Sequence, residues 1–226
     1  MRTALCLYGN LRSFSTVFPS LHQHVLQVYS PDVFSFVWKN THEIAVNKFD
    51  RNHPIWDIKN SKKKSIISDD TISSLIEKTN SKISLVEDYQ NQILSDQKDW
   101  NLPKALYKNL WAQSRCVKLK QLYENQHHIQ YDLVILSRWD IFYESNLMLN
   151  ISDCLRFPTR FCYAGPSDFW TYGPSKMIDV CANRFDFLQK KNPNEHPNKL
   201  LNQLLDSYNI SYEMIDLPVN LLNRPY

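Results

Sequence analysis

Glycine is nearly missing from this chain. Among 226 residues there are three, Gly9, Gly165 and Gly173. Neither the Gly-rich phosphate loop of P-loop NTPases nor the glycine turn of dinucleotide-binding proteins can be written with so few. The cysteines argue against a disulfide frame and lack metal-ligand spacing. Cys6, Cys116, Cys154, Cys162 and Cys181 are odd in number and scattered, so they read as reduced and mostly buried small hydrophobes. No apolar run approaches the length of a membrane-spanning helix. The first such run, Thr3-Ala4-Leu5-Cys6-Leu7-Tyr8, stops at Gly9-Asn10, too short for a signal-peptide core, and a cytoplasmic location is expected. Charge of one sign is also lacking. The formal net charge is +3, which argues against a dedicated nucleic-acid binder and still permits a local anion site. There is no internal repeat, coiled coil or low-complexity tract.

What is present is alternation. Residues 3–8 and 33–38 read as buried strands. Residues 20–29 read as a helix, with Leu21, Val25 and Val28 on one face and Pro19 near its start. A polar, loop-like stretch covers residues 39–70, followed by a helix at 71–79 and a strand at 82–87. Residues 90–103 are irregular. Residues 106–125 form the strongest helix, carrying Ala112, Cys116, Leu119 and Tyr123 at spacings of four, three and four. The apolar run at 132–137 reads as a central strand. Strand and helix in turn predict an α/β fold with a mostly parallel sheet and right-handed crossovers. Beyond it, residues 161–164, 169–172 and 211–216 read as strands of a smaller mixed β part. Helices there are opened by Pro174-Ser175 and by Pro197. The length suits a single domain over residues 1–226, with residues 40–105 as a variable, loop-rich region.

In an open α/β sheet, ligands bind beyond the carboxyl ends of the strands, where the strand order reverses. Two strand ends carry suitable groups. After the first strand, Gly9 permits a sharp turn, Asn10 can hydrogen-bond a ligand and Arg12 offers a planar fork for phosphate. After the strand at 132–137 come Ser137-Arg138-Trp139-Asp140-Ile141, where Arg138 and Asp140 share a face. Asp140 can hold a divalent cation bridging a diphosphate, and Arg138 can neutralise phosphate oxygens. The plainer reading is an Arg-Asp pair capping the sheet end. Trp38, Trp111 and Trp170 read as core or pocket wall, although Trp139 and Trp170 could stack on a base or sugar ring. His127-His128 reads as an exposed helix end, and Lys62-Lys63-Lys64 as a solvated loop or a weak contact for an anionic membrane.

These motifs, taken with Ser13-Phe14, Pro31-Asp32-Val33-Phe34, Tyr131 to Ile135, Asp168-Phe169 and Gly173-Pro174-Ser175-Lys176-Met177, resemble in matching order a loose set of microbial and viral glycosyltransferase-like proteins. Those proteins are linked to surface-polysaccharide synthesis and are similar to the GT-A fold. The resemblance covers most of the chain outside residues 40–105. It implies transfer of a sugar from a nucleoside-diphosphate sugar to a saccharide or lipid-linked acceptor. It places Asp140 at the last aspartate of the Asp-x-Asp motif that holds a metal, manganese or magnesium, with Arg138 where the first aspartate stands. Either Asp140 binds the cation with waters and phosphates, or Arg138 supplies part of its charge. Asp168 becomes the candidate general base for an inverting reaction. His196 becomes a further metal ligand or acceptor contact, and Arg224 a phosphate contact. Asn198 stands where related sequences carry glutamate. The incomplete acidic motif leaves two rival expectations: a module that binds nucleotide or glycan without turnover, and a nucleotidyl transferase.

Overall fold

The structure is a computed structural model that describes residues 1–11, 13–39, 42–44, 63–88, 104–160, 162, 165–188 and 197–221. Its strands are β1 (Thr3–Gly9), β2 (Asp32–Trp38), β3 (His42–Ile44), β4 (Lys63–Ile66), β5 (Ser81–Glu87), β6 (Leu133–Arg138), β7 (Ile141–Tyr143), β8 (Leu155–Pro158), β9 (Trp170–Gly173), β10 (Tyr212–Ile215) and β11 (Val219–Leu221). Seven of them make one sheet in the order β10-β8-β9-β6-β1-β2-β5. β1 pairs in parallel with β2 on one side and β6 on the other, and β5 lies parallel outside β2. β9 alone runs antiparallel, between β6 and β8, and β10 is parallel to β8. Two small antiparallel pairs complete the strands, β7 with β11 and β3 with β4. The expected mostly parallel α/β sheet is present. β8, β9 and β10 extend that sheet.

Helices cover both faces: α1 (Phe14–Leu21), α2 (Gln27–Tyr29), α3 (Asp69–Lys78), α4 (Lys104–His127), α5 (Ser175–Ala182), α6 (Arg184–Leu188) and α7 (Pro197–Ser207). Side chains alternate along a strand, so Ala4, Cys6 and Tyr8 enter the core under α4, α5 and α7, while Leu5 and Leu7 enter the one under α1 and α3. The stripe read from the sequence holds: Ala112, Cys116 and Leu119 of α4 all lie in the first core.

Several boundaries differ from the sequence reading. The helix expected at 20–29 begins at Phe14 and contains Pro19. Phe14, Val17 and Leu21 are buried on one side, and that burial outweighs the hydrogen bond that proline cannot donate. Just after the proline the helix widens into a π-helical turn, His22–Leu26, where the Gln27 N–H donates to the His22 carbonyl. Within the loop-like stretch, β3 and β4 pair, so Lys63 and Lys64 sit on a strand, while Lys62 lies outside the described residues. Of residues 161–164 only Cys162 is described, and it belongs to no strand. The strand that pairs with β9 and β10 is β8, whose four residues include Arg156 and Pro158. A short segment with a charge and a proline does not look like a strand until its neighbours supply the pairing.

Candidate functional site

The chain lays down β1, β2 and β5 in one direction and then returns to the other side of β1 with β6. The strand order therefore reverses between β1 and β6, and that crevice is where open α/β sheets take ligands. The two strand ends singled out from the sequence meet there. Tyr8 and Arg138 are register partners, and the Trp139 N–H donates to the Tyr8 carbonyl at 3.3 Å. Gly9 closes β1 at φ +105°, and a Cβ built on it meets nothing within 4 Å. The glycine is needed for its backbone conformation, and the space beside it is open. On the same loop, Asn10 Oδ1 and Ser13 Oγ are buried without a hydrogen-bond partner. A buried orphan of this kind costs about 1–3 kcal/mol. Two of them stand within four residues at this strand end; others among the described residues include Ser167, Tyr172 and Arg184. Arg12 lies outside the described residues.

Arg138 and Asp140 do converge, on each other. Arg138 Nε donates to Asp140 Oδ1 at 2.8 Å and Nη2 donates to Oδ2 at 2.5 Å. Asp140 is 2% exposed, whereas the Arg138 side chain is 21% exposed. Burial pulls the Arg138 pKa down, but the charge and hydrogen bonds of Asp140 outweigh that and raise it. The remaining nitrogen, Nη1, makes no hydrogen bond and is not among the buried unpaired atoms, so it is open to solvent. A cation on Asp140 would share a carboxylate whose two oxygens already accept from a guanidinium. A dication about 4 Å from that charge is repelled by about 8 kcal/mol at an effective dielectric of 20. The residue two positions earlier, which could offset this as a second carboxylate, is Arg138 itself. Among the described residues no group of three or more His, Cys, Asp or Glu is set to hold a metal. The described residues do not fit a cation at Asp140 while Arg138 keeps its place. His196 lies outside them.

Asp168 sits in a bend before β9, 7% exposed, and its Oδ2 accepts from Asn109 Nδ2 of α4 at 3.0 Å. Its main-chain carbonyl is held by three donors: Gln113 Nε2 at 2.6 Å, Tyr8 Oη at 3.1 Å and Arg184 Nη2 at 3.3 Å. Burial first, then the charge of Asp168, raises the Tyr8 phenol well above its ordinary pKa, so Tyr8 stays a neutral donor. The charge of Asp168 also reaches Arg138. The Arg138 N–H donates to the carbonyl of Phe169, the next residue, at 3.2 Å, so Asp168 lies at the same sheet edge as Arg138. Asn198 has a structural part in this: it is buried, its Nδ2 donates to the Gly165 carbonyl at 3.4 Å, and a Cβ on Gly165 would lie 2.4 Å from the Asn198 carbonyl oxygen. That contact docks the loop leading to Asp168 onto α7.

Asn109, Gln113 and Arg184 were not expected. The first two had a signal: Asn109 and Gln113 precede Cys116 at spacings of four and three, placing two amides on the apolar stripe of α4. Arg184 had none. It is 2% exposed, and its Nη2 donates to Gln113 Oε1 and to the Asp168 carbonyl.

Trp38 and Trp170 are buried as the core reading has them, and the stacking alternative for Trp139 and Trp170 does not hold. Trp139 is buried, donates Nε1 to the Phe36 carbonyl at 2.9 Å and meets Phe14 edge-on. Trp170 is buried and donates to Tyr143 Oη at 3.3 Å. Neither presents a face to a ligand. His127 and His128 are exposed at the end of α4. Arg224 lies outside the described residues, and among those residues no helix is long and apolar enough to cross a membrane.

No family model matches this chain, and no curated protein matches it in sequence.

Proposed function

We propose that the protein is a glycosyltransferase of GT-A type that uses a nucleoside-diphosphate sugar and transfers the sugar to a saccharide or lipid-linked acceptor. The observation that carries the reading is the meeting, at the strand-order reversal, of a loop with buried unpartnered polar atoms and an arginine with a free nitrogen. Asn10 and Ser13 suit the hydroxyls and N–H groups of a nucleoside. Arg138 suits the diphosphate. Asp168, on the same edge, suits the proton of an acceptor hydroxyl in an inverting reaction.

The test is calorimetric titration with nucleoside diphosphates, followed by an assay for nucleoside diphosphate released from candidate sugar donors. One diphosphate is expected to bind, and Asn10→Ala to weaken it about five- to tenfold, the worth of one hydrogen bond. Because Oδ1 has no partner in the protein, that variant keeps the wild-type melting temperature. Failure of every nucleoside diphosphate to bind would sink the proposal.

The engagement of Asp140 by Arg138 favours a second reading, a module that binds the nucleotide or glycan without turnover. Tight binding with no donor consumed would select it. Release of pyrophosphate in place of nucleoside diphosphate would point to nucleotidyl transfer.

A further inference from the structure

We infer that this site holds the nucleotide's diphosphate without a divalent cation, with Arg138 as the fixed counter-charge and Asp140 as the residue that positions it. The inference rests on the nucleotide-sugar reading above and deepens it.

Arg138 is fixed at both ends. Its main-chain N–H donates to the Phe169 carbonyl at 3.2 Å, and its register partner across β1 is Tyr8. At the far end the fork is clamped by Asp140 through Nε and Nη2. A guanidinium clamped on one edge cannot swing, and what it offers is the other edge, Nη1, with two N–H donors and access to solvent. A planar donor already held in place loses little freedom when it meets a phosphate oxygen. It is also more weakly hydrated than an ammonium.

Asp140 has the opposite character. It is almost fully buried and both its oxygens are used. For a magnesium or manganese ion to bind there, one Arg138 bond must be given up and two cations must crowd one carboxylate. No second acidic residue stands at the position two before it. The charge that a bridging cation supplies elsewhere comes here from a side chain already in place. Asp140 acts through Arg138 and is a positioning residue, not a ligand.

The experiment compares the wild-type protein in EDTA with the same protein in manganese, each titrated calorimetrically with uridine, guanosine, cytidine and adenosine diphosphates. The affinity of the nucleotide that binds is expected to agree within about threefold between the two conditions, under 1 kcal/mol. Arg138→Met is expected to weaken it about tenfold or more in both, and Arg138→Lys, which keeps the charge without the fork, to fall between. Thermal melting verifies that each variant is folded, and the wild-type comparison stands without either. Binding more than threefold tighter with manganese overturns the inference and leaves the nucleotide-sugar reading standing. Binding in EDTA that neither Arg138 variant weakens removes Arg138 from its role and overturns the inference likewise. No binding in either condition overturns that reading, and the inference with it.

Discussion

Arg138 ends β6 and Asp140 lies in the turn that follows, and that turn brings their side chains together before any ligand arrives. The carboxylate of the pair is buried and the cation is partly free, so the two divide the work unequally. Asp168 is placed differently. Its carbonyl carries the structural bonds, while its carboxylate meets Asn109. The main-chain bonds survive when the side chain changes. Asp168→Asn is therefore expected to keep nucleoside-diphosphate affinity while lowering kcat about 100-fold or more, the usual worth of a general base. Transfer within about threefold of wild type would remove the base from this position. Gly9 tests the backbone alone. Gly9→Ala adds a methyl that meets nothing at φ +105°, so the cost is conformational, about 1–2 kcal/mol by urea unfolding. An unchanged midpoint would contradict the positive φ.

Among the elements, α4 does most to hold the site edge in place. Its first half brings Asn109 and Gln113 to the strand ends, and its second half is tied down by Lys120, whose side chain is wholly buried. Lys120 Nζ donates to Glu124 at 2.7 Å and to Ser175 Oγ at 2.5 Å, and it forms an ion pair with Asp179 at 2.9 Å. Glu124 in turn accepts from Ser175 and from the Tyr131 N–H just before β6. One cation thus joins α4, the start of α5 and the entry to β6. Lys120→Met strands two carboxylates and is expected to cost about 3–5 kcal/mol in denaturant unfolding. Pairing it with Glu124→Gln recovers part of that. A cost under about 1 kcal/mol would show that solvent, and not Lys120, satisfies the acids. The sequence showed α4 through its apolar spacing. It did not show Lys120 as buried, because a lysine four residues before a glutamate reads equally well as a solvated helix pair. α3 begins earlier than the sequence reading placed it. Its N-cap, Ser68, which accepts from the Thr71 N–H at 3.2 Å, lies inside the stretch read as loop, ahead of the expected helix start.

At the scale of the whole molecule, the buried phenols set how the fold responds to alkali. Burial raises the Tyr143 phenol from its ordinary value to about 12, against hydrogen bonds from Ser137 and Trp170 that lower it. Burial raises Tyr8 and Tyr131 in the same direction. A phenol that stays neutral when folded and ionises when unfolded favours unfolding as pH rises. Its contribution is complete below about pH 10 and is lost between about 10 and 12, roughly 2–3 kcal/mol for Tyr143. Urea midpoints at pH 9 and pH 11 should fall accordingly, and less steeply in Tyr143→Phe. An equal slope in that variant would deny Tyr143 its share. The sheet responsible for this burial was legible because apolar runs and helical stripes are local patterns, each readable within a dozen residues. That gave the parallel α/β core and the two strand ends, Gly9-Asn10 and Arg138-Asp140. It did not give β8, β11 or the pairing of β3 with β4, since short strands take their identity from partners far along the chain. Nor could it give Arg184 and Gln113 beneath Asp168, or the clamp of Asp140 on Arg138, against the equally local possibility that each faced a ligand. The order and type of residues determine which groups can do chemistry. Which of them are already bonded to one another, and which are left free, is settled only when the strands are side by side, because a hydrogen bond depends on distance and direction and a sequence records neither.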